Sequence, residues 1–108
     1  MQYRFGDIVI LDYPFTDAVG SKRRPGLVLL PEDDGDILFA RITSKGREGK
    51  WEIEIEDWKS SGLLHPSVVR ISKIVSLESS LVERVIGKLS DRDLISVRRA
   101  LELLIASL

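Results

Sequence analysis

A chain of 108 residues with no cysteine is long enough for one hydrophobic core, and it excludes a disulfide framework or a thiolate metal site. With 44% hydrophobic and 31% charged residues it should fold as a single domain over residues 1–108 rather than stay disordered, and no apolar run approaches membrane-spanning length. The net charge of −1 lacks the basic excess of most nucleic-acid modules, so what matters is where the charges sit.

The N-terminus, MQYRFGDIVILDY, has no long apolar h-region, so an intracellular, cytoplasmic location is expected. Asp7 to Tyr13 is rich in β-branched residues and reads as a mostly buried strand. Pro14 to Arg24 mixes Pro, Gly and charge without a period and reads as a loop. Gly26 to Leu30 is a second apolar strand. Pro31 to Asp36 is turn chemistry, with Asp34-Gly35 a hairpin signal, and Ile37 to Thr43 is a third strand. Ser44 to Lys50 is a basic, Gly-containing loop, and Trp51 to Ile55 alternates as a half-exposed strand does. Glu56 to Gly62 has the composition of a helical turn. Val68 to Ile71, Ile74 to Leu77 and Arg84 to Gly87 read as short strands.

The last segment has the clearest local signal. Ser90 followed by Asp93 resembles a capping box, with Asp in place of the usual Glu or Gln. Leu94, Val97, Leu101, Leu104, Ile105 and Leu108 then fall at helical spacing as one apolar stripe, and Arg92, Arg98, Arg99 and Glu102 lie largely off it. The helix should pack across the sheet. Five to seven short strands and one terminal helix predict a mainly β fold, a small and strongly curved antiparallel sheet or barrel.

Two basic loops stand out against this frame. Lys22, Arg23 and Arg24 are consecutive, and Lys45, Arg47 and Lys50 lie close together, whereas acids gather in Glu32 to Asp36 and Glu52 to Asp57. If the basic loops meet in space they form a phosphate-binding surface on a neutral protein. Trp51 borders the second loop and is a candidate base-stacking platform. Tyr13-Pro14-Phe15 is a weaker one, and Trp58 reads as core or interface. The single His65 precedes Pro66 in a turn and reads as a surface residue, so a ribonuclease needing two histidines is excluded. No nucleophile-elbow motif occurs. The acidic run Glu32-Asp33-Asp34-Gly35-Asp36 lacks the length and terminal Glu of a calcium loop and reads as a solvated hairpin tip, so no metal site is expected.

Three segments, in order, resemble the MazF/PemK toxin family. Gly6-Asp7-Ile8-Val9, Gly20-Ser21 and Arg24-Pro25 leading into an apolar strand look like its opening. Ala40-Arg41-Ile42-Thr43-Ser44 looks like the end of its third strand. Ser67-Val68-Val69-Arg70 through Gly87-Lys88-Leu89-Ser90 looks like its final strands and helix. The first loop departs from the family's common form: it is shorter and has no Glu after Gly20-Ser21.

The resemblance implies an SH3-like (plasmid maintenance toxin-like) barrel with a C-terminal α-helix, usually a homodimer. It implies a type II toxin that cleaves single-stranded RNA without metal or other cofactor and is inhibited by a cognate antitoxin peptide. The family's active-site Arg and Thr correspond to Arg24 and Thr43. Ser21, Lys22, Arg23, Ser44, Lys45, Arg47, Lys50 and Trp51 are then the expected RNA-binding residues. Arginine suits the role, because its fixed charge can hold two phosphate oxygens at once, and Pro25 favours an extended Arg24 backbone. The rival reading of the same groove is a non-catalytic SH3-like module that binds RNA or a peptide.

Overall fold

The computed structural model describes residues 2–14, 21–46 and 48–108. Six strands form one antiparallel sheet: β1 (Asp7–Pro14), β2 (Ser21–Pro31), β3 (Asp36–Thr43), β4 (Glu52–Glu54), β5 (Val68–Glu78) and β6 (Val82–Lys88), in the order β4-β5-β3-β2-β1-β6. A single 3₁₀ turn, Ser79–Leu81, joins β5 to β6, and helix α1 (Asp91–Ala106) follows.

The order of the strands forces the sheet to curl. β5 and β6 lie four strand positions apart, which in a flat sheet is roughly 19 Å. The three-residue link between them reaches about 14 Å at most. The sheet therefore bends until its ends approach, giving the expected mainly β, barrel-like fold with a C-terminal helix. Burial agrees with this. On the face away from α1, Val9, Leu11, Val28, Ile37 and Phe39 are fully buried, covered by Val75 and Leu77 of β5, Leu81 of the link and Val82 of β6. On the other face Ile8, Leu27, Ala40, Ile42, Val69 and Ile71 pack beneath Val97 and Ala100 of the helix.

Several boundaries differ from the sequence reading. The described residues of the predicted loop Pro14 to Arg24 are strand: β1 runs to Pro14 and β2 starts at Ser21, and the pairs Leu11–Arg24, Asp12–Arg23 and Tyr13–Lys22 continue the ladder. Cross-strand pairing with β1 overrides loop-like composition here. The two short strands predicted around Val68 and Ile74 are one strand, β5, with an irregularity. Arg41 pairs with Arg70, but Ala40 pairs with Ile74, so Ile71, Ser72 and Lys73 bulge out of the ladder. The bulge turns Ile71 into the core while Ser72 and Lys73 stay exposed.

The helix stripe is also corrected. Val97 and Ala100 form its buried line, with Leu94, Leu101 and Leu104 partly buried, but Ile105 is 67% and Leu108 99% exposed. Hydrophobic spacing continues to the last residue, whereas the end of α1 is not covered. Ser90 does cap the helix, its Oγ accepting the Asp93 N–H at 3.4 Å. The Ser90 hydroxyl donates in turn to Asp93 Oδ2 at 3.2 Å, a side-chain bond in place of the capping box's return to the Ser90 backbone N–H. The buried Asp93 carboxylate accepts the N–H groups of Glu56 and Asp57, each at 2.9 Å, and so ties the helix start to the segment after β4. The pair is an N-cap plus a tertiary tether rather than a reciprocal box.

The predicted hairpin tip is observed. Gly35 has φ +94, Asp36 N–H donates to Asp34 Oδ1 at 3.0 Å, and Glu32 N–H donates to the Asp36 carbonyl at 2.8 Å. No helix is long and apolar enough to cross a membrane among the described residues.

Candidate functional site

β2 and β3 carry the expected catalytic pair. Gly26 pairs with Arg41 at the end of the β2–β3 ladder, and Arg24 and Thr43 lie two residues beyond that pair on their strands. Alternation along a strand then places Arg24, Arg41 and Thr43 on the face of Val28 and Phe39, where the buried cluster gives way to charge. Thr43 ends its strand with an oriented hydroxyl: its Oγ1 accepts the Lys45 N–H at 3.1 Å, and its own proton remains to donate.

Arg24 and Thr43 line one cavity of about 840 Å³. Arg23, Pro25, Ser44 and Lys45 join them there. So do four cations that sequence reasoning did not select: Arg41, Arg70, Lys73 and Arg84. The described lining thus holds seven basic side chains and no carboxylate, on a chain whose net charge is −1. Two of the seven are neutralised from outside the cavity: Arg23 Nε lies 2.7 Å from Glu83, and Arg70 Nε 2.9 Å from Glu52. Arg24, Arg41, Lys45, Lys73 and Arg84 have no ion-pair partner among the described residues. Gathering like charges is unfavourable in the free protein, and a polyanion would relieve it. The missed cations follow from topology: Lys73 reaches the cavity through the β5 bulge and Arg84 through β6, both distant from the basic loops in sequence.

One wall is apolar and carries His65, with Leu63 and Leu64 beside it. This wall belongs to the turn after β4, where Ser61 N–H bonds the Asp57 carbonyl at 3.0 Å and Leu63 N–H the Trp58 carbonyl at 3.1 Å, the helical turn expected there. It is pressed on β6 at two glycines. A Cβ on Gly62 would meet the Ile86 carbonyl oxygen at 2.2 Å, and a Cβ on Gly87 would meet that of Ser61 at 2.1 Å. Gly62 also has φ +93, a backbone that other residues rarely adopt. The wall is anchored at its base as well. Arg92 holds Asp57 through two bonds of 2.7 Å, and Ser90 Oγ donates to Asp57 Oδ2 at 2.6 Å. These partners lower the Asp57 carboxyl to about 2, the Arg92 bonds contributing most and Ser90 next.

The remaining candidates are placed as follows. Trp51 and Trp58 are partly buried against the core beneath the helix, with Lys50 Nζ 5.0 Å from the Trp51 ring centre, and neither Trp51 nor Lys50 is among the cavity's described lining residues. The backbones of Ser21 and Lys22 open β2, but their side chains, with those of Tyr13 and Pro14, lie outside the described residues, as do Phe15, Gly20 and Arg47. At the other end of β3, Glu32, Asp34 and Asp36 bring carboxylate oxygens within 4.8 Å of one another. The Asp36 pKa is raised, first by burial and then by Asp34, Glu32 and Glu78, and Glu32 accepts the Ser76 hydroxyl at 2.6 Å. Acidic and basic ends of one strand are thus roughly 23 Å apart, so a near-zero net charge conceals a polar charge distribution.

A curled six-stranded sheet with one terminal helix and a basic cleft at the β2–β3 strand ends defines the class. The chain belongs to the family of PemK-like, MazF-like toxins of type II toxin–antitoxin systems, which matches residues 4–105. Solved structures agree on the fold. An endoribonuclease in complex with its cognate antitoxin from a mycobacterial species superposes with a TM-score of 0.77 at 15% identity, covering 97% of this chain and 96% of the other. The MazE–MazF complex of Deinococcus radiodurans gives 0.73 at 24% identity over 97% and 96%. The Mycobacterium tuberculosis toxin MazF-mt6 gives 0.70 at 21% identity over 91% and 96%. No curated protein matches the chain in sequence.

Proposed function

We propose that the protein is a metal-independent endoribonuclease that cleaves single-stranded RNA in the cavity lined by Arg24 and Thr43. The observation that carries this is the cavity's described lining of seven cations, Arg24 among them, and no carboxylate. Such a surface suits a phosphate backbone. With one imidazole and no carboxylate, the same lining is a poor donor set for a divalent cation. RNA supplies its own nucleophile. Its 2′-oxygen bonds to the adjacent phosphorus, the bond from phosphorus to the 5′-oxygen breaks, the 2′-proton leaves to water, and water returns a proton to the 5′-oxygen. The ends are a 2′,3′-cyclic phosphate and a 5′-hydroxyl. Arg24 neutralises the charge that builds on the phosphorane, and the Thr43 hydroxyl donates to the same phosphate. A preorganised donor of this kind lowers the barrier by about 3 kcal/mol.

The remaining cations, with Ser44, hold the strand. A cognate antitoxin peptide that covers the cavity would silence the enzyme, and the working unit is a cytoplasmic homodimer. Incubating the protein with a long unstructured RNA in EDTA, then mapping end chemistry, tests the reading. Discrete cuts with cyclic-phosphate ends support it. RNA that is bound but stays intact assigns the cleft to a binding module instead.

A further inference from the structure

We infer that Arg41 forms a second phosphate subsite, which takes the RNA phosphate neighbouring the one held by Arg24. This rests on the reading of the cavity as an RNA site and adds to it a residue that the sequence motifs did not single out.

Gly26, Arg41, Arg70 and Glu52 are register partners on β2, β3, β5 and β4. Two arginines directly opposite each other repel. Arg70 is relieved by Glu52, its neighbour on the far side, at 2.9 Å. On its own far side Arg41 meets Gly26, which has no side chain to offer. Arg41 Nε is buried without a hydrogen-bond partner, and the residue has no ion pair among the described residues. A guanidinium carries five donors in a planar fork, and a buried charged donor left unmet is costly. Arg41 lines the cavity, where an oxyanion able to take a fork of N–H groups fits this unpaired guanidinium best.

Placement selects which anion. Arg41 shares its face with Thr43, about 6.6 Å along β3, and Arg24 lines the same cavity from β2. A strand held at Arg24 and Thr43 meets Arg41 next along the same face. The two guanidiniums read consecutive phosphates, which favours a continuous single strand over an isolated anion.

The test is binding of an uncleavable, mixed-sequence 2′-O-methyl RNA, measured by anisotropy across a salt series. Arg41→Met should fold, bind about tenfold more weakly at low salt, and flatten the slope of log K against log salt by about 0.7. Arg41→Lys should recover the slope but only part of the affinity, because a point charge replaces the fork. Arg24→Ala combined with Arg41→Met should lose about 1.4 from the slope. Arg99→Met, on the exposed side of the helix, should change nothing. If Arg41→Met unfolds, Arg41→Gln keeps a polar head and gives the same comparison. Wild-type binding with an unchanged slope in folded Arg41→Met overturns the subsite alone. No binding by the wild type overturns the RNA reading, and the subsite with it.

Discussion

Arg24 on β2 and Thr43 on β3 each lie two residues beyond the Gly26–Arg41 pair, and both line the basic cavity. The Lys45 N–H fixes the Thr43 oxygen at 3.1 Å and leaves the hydroxyl proton for a substrate. Thr43→Val keeps the shape and removes that donor. It should slow cleavage about a hundredfold with little change in RNA affinity, while Thr43→Ser keeps most of the rate. Single-turnover cleavage and equilibrium binding separate the two effects. Wild-type cleavage by Thr43→Val would remove the residue from the chemistry.

The glycine crossing that holds the apolar wall should be intolerant. Gly87→Ala drives a methyl into the Ser61 carbonyl, so the turn bearing Leu63, Leu64 and His65 must move off β6. A loss of about 2 kcal/mol in urea unfolding is expected, as for other overpacked sites, together with a raised KM for RNA. A variant as stable as the wild type would show that the turn is not held there.

Asp93 is 1% exposed and takes two backbone N–H groups of the segment after β4. Asp93→Ala leaves both donors without that acceptor and should cost about 3 kcal/mol of stability. Asp93→Asn keeps one acceptor oxygen and should cost less. Equal costs in the two variants, read from denaturation midpoints, would contradict the tether.

Asp57 gives the fold an acid-sensitive joint. Its carboxyl is held at about 2 against an ordinary 3.8, first by Arg92 and then by Ser90. A depressed carboxyl adds stability that is fully present above its unfolded value and is lost as pH falls through the folded one. Thermal midpoints should therefore fall between about pH 4 and pH 2, and Asp57→Asn should flatten that part of the curve. A parallel fall in the variant would assign the acid sensitivity to other carboxylates.

Strand periodicity and turn chemistry made β1, β3 and the Asp34-Gly35 hairpin legible in the sequence, because these signals are local. The start of β2 was not legible, since Ser21 to Pro25 become strand only by pairing with β1. The helix stripe was overextended to Leu108, because spacing reports which residues share a face and not whether anything covers it. The order of motifs singled out Arg24 and Thr43, and the structure places both in one cavity. Arg41, Arg70, Lys73 and Arg84 were passed over. They lie on three strands, outside the basic loops in sequence, and only curling of the sheet and the β5 bulge bring them together. Trp51 looked available from its position beside a basic loop, but its ring is partly buried against the core.

That Arg24 carries the cleavage of RNA in this cavity is tested by comparing wild type with Arg24→Ala. Both proteins are incubated with one long unstructured RNA in EDTA, and the new ends are mapped and quantified. The wild type should give discrete cuts with 2′,3′-cyclic phosphate and 5′-hydroxyl ends, and a folded Arg24→Ala at least about a hundredfold fewer. Equal cutting by the two proteins would contradict that role of Arg24.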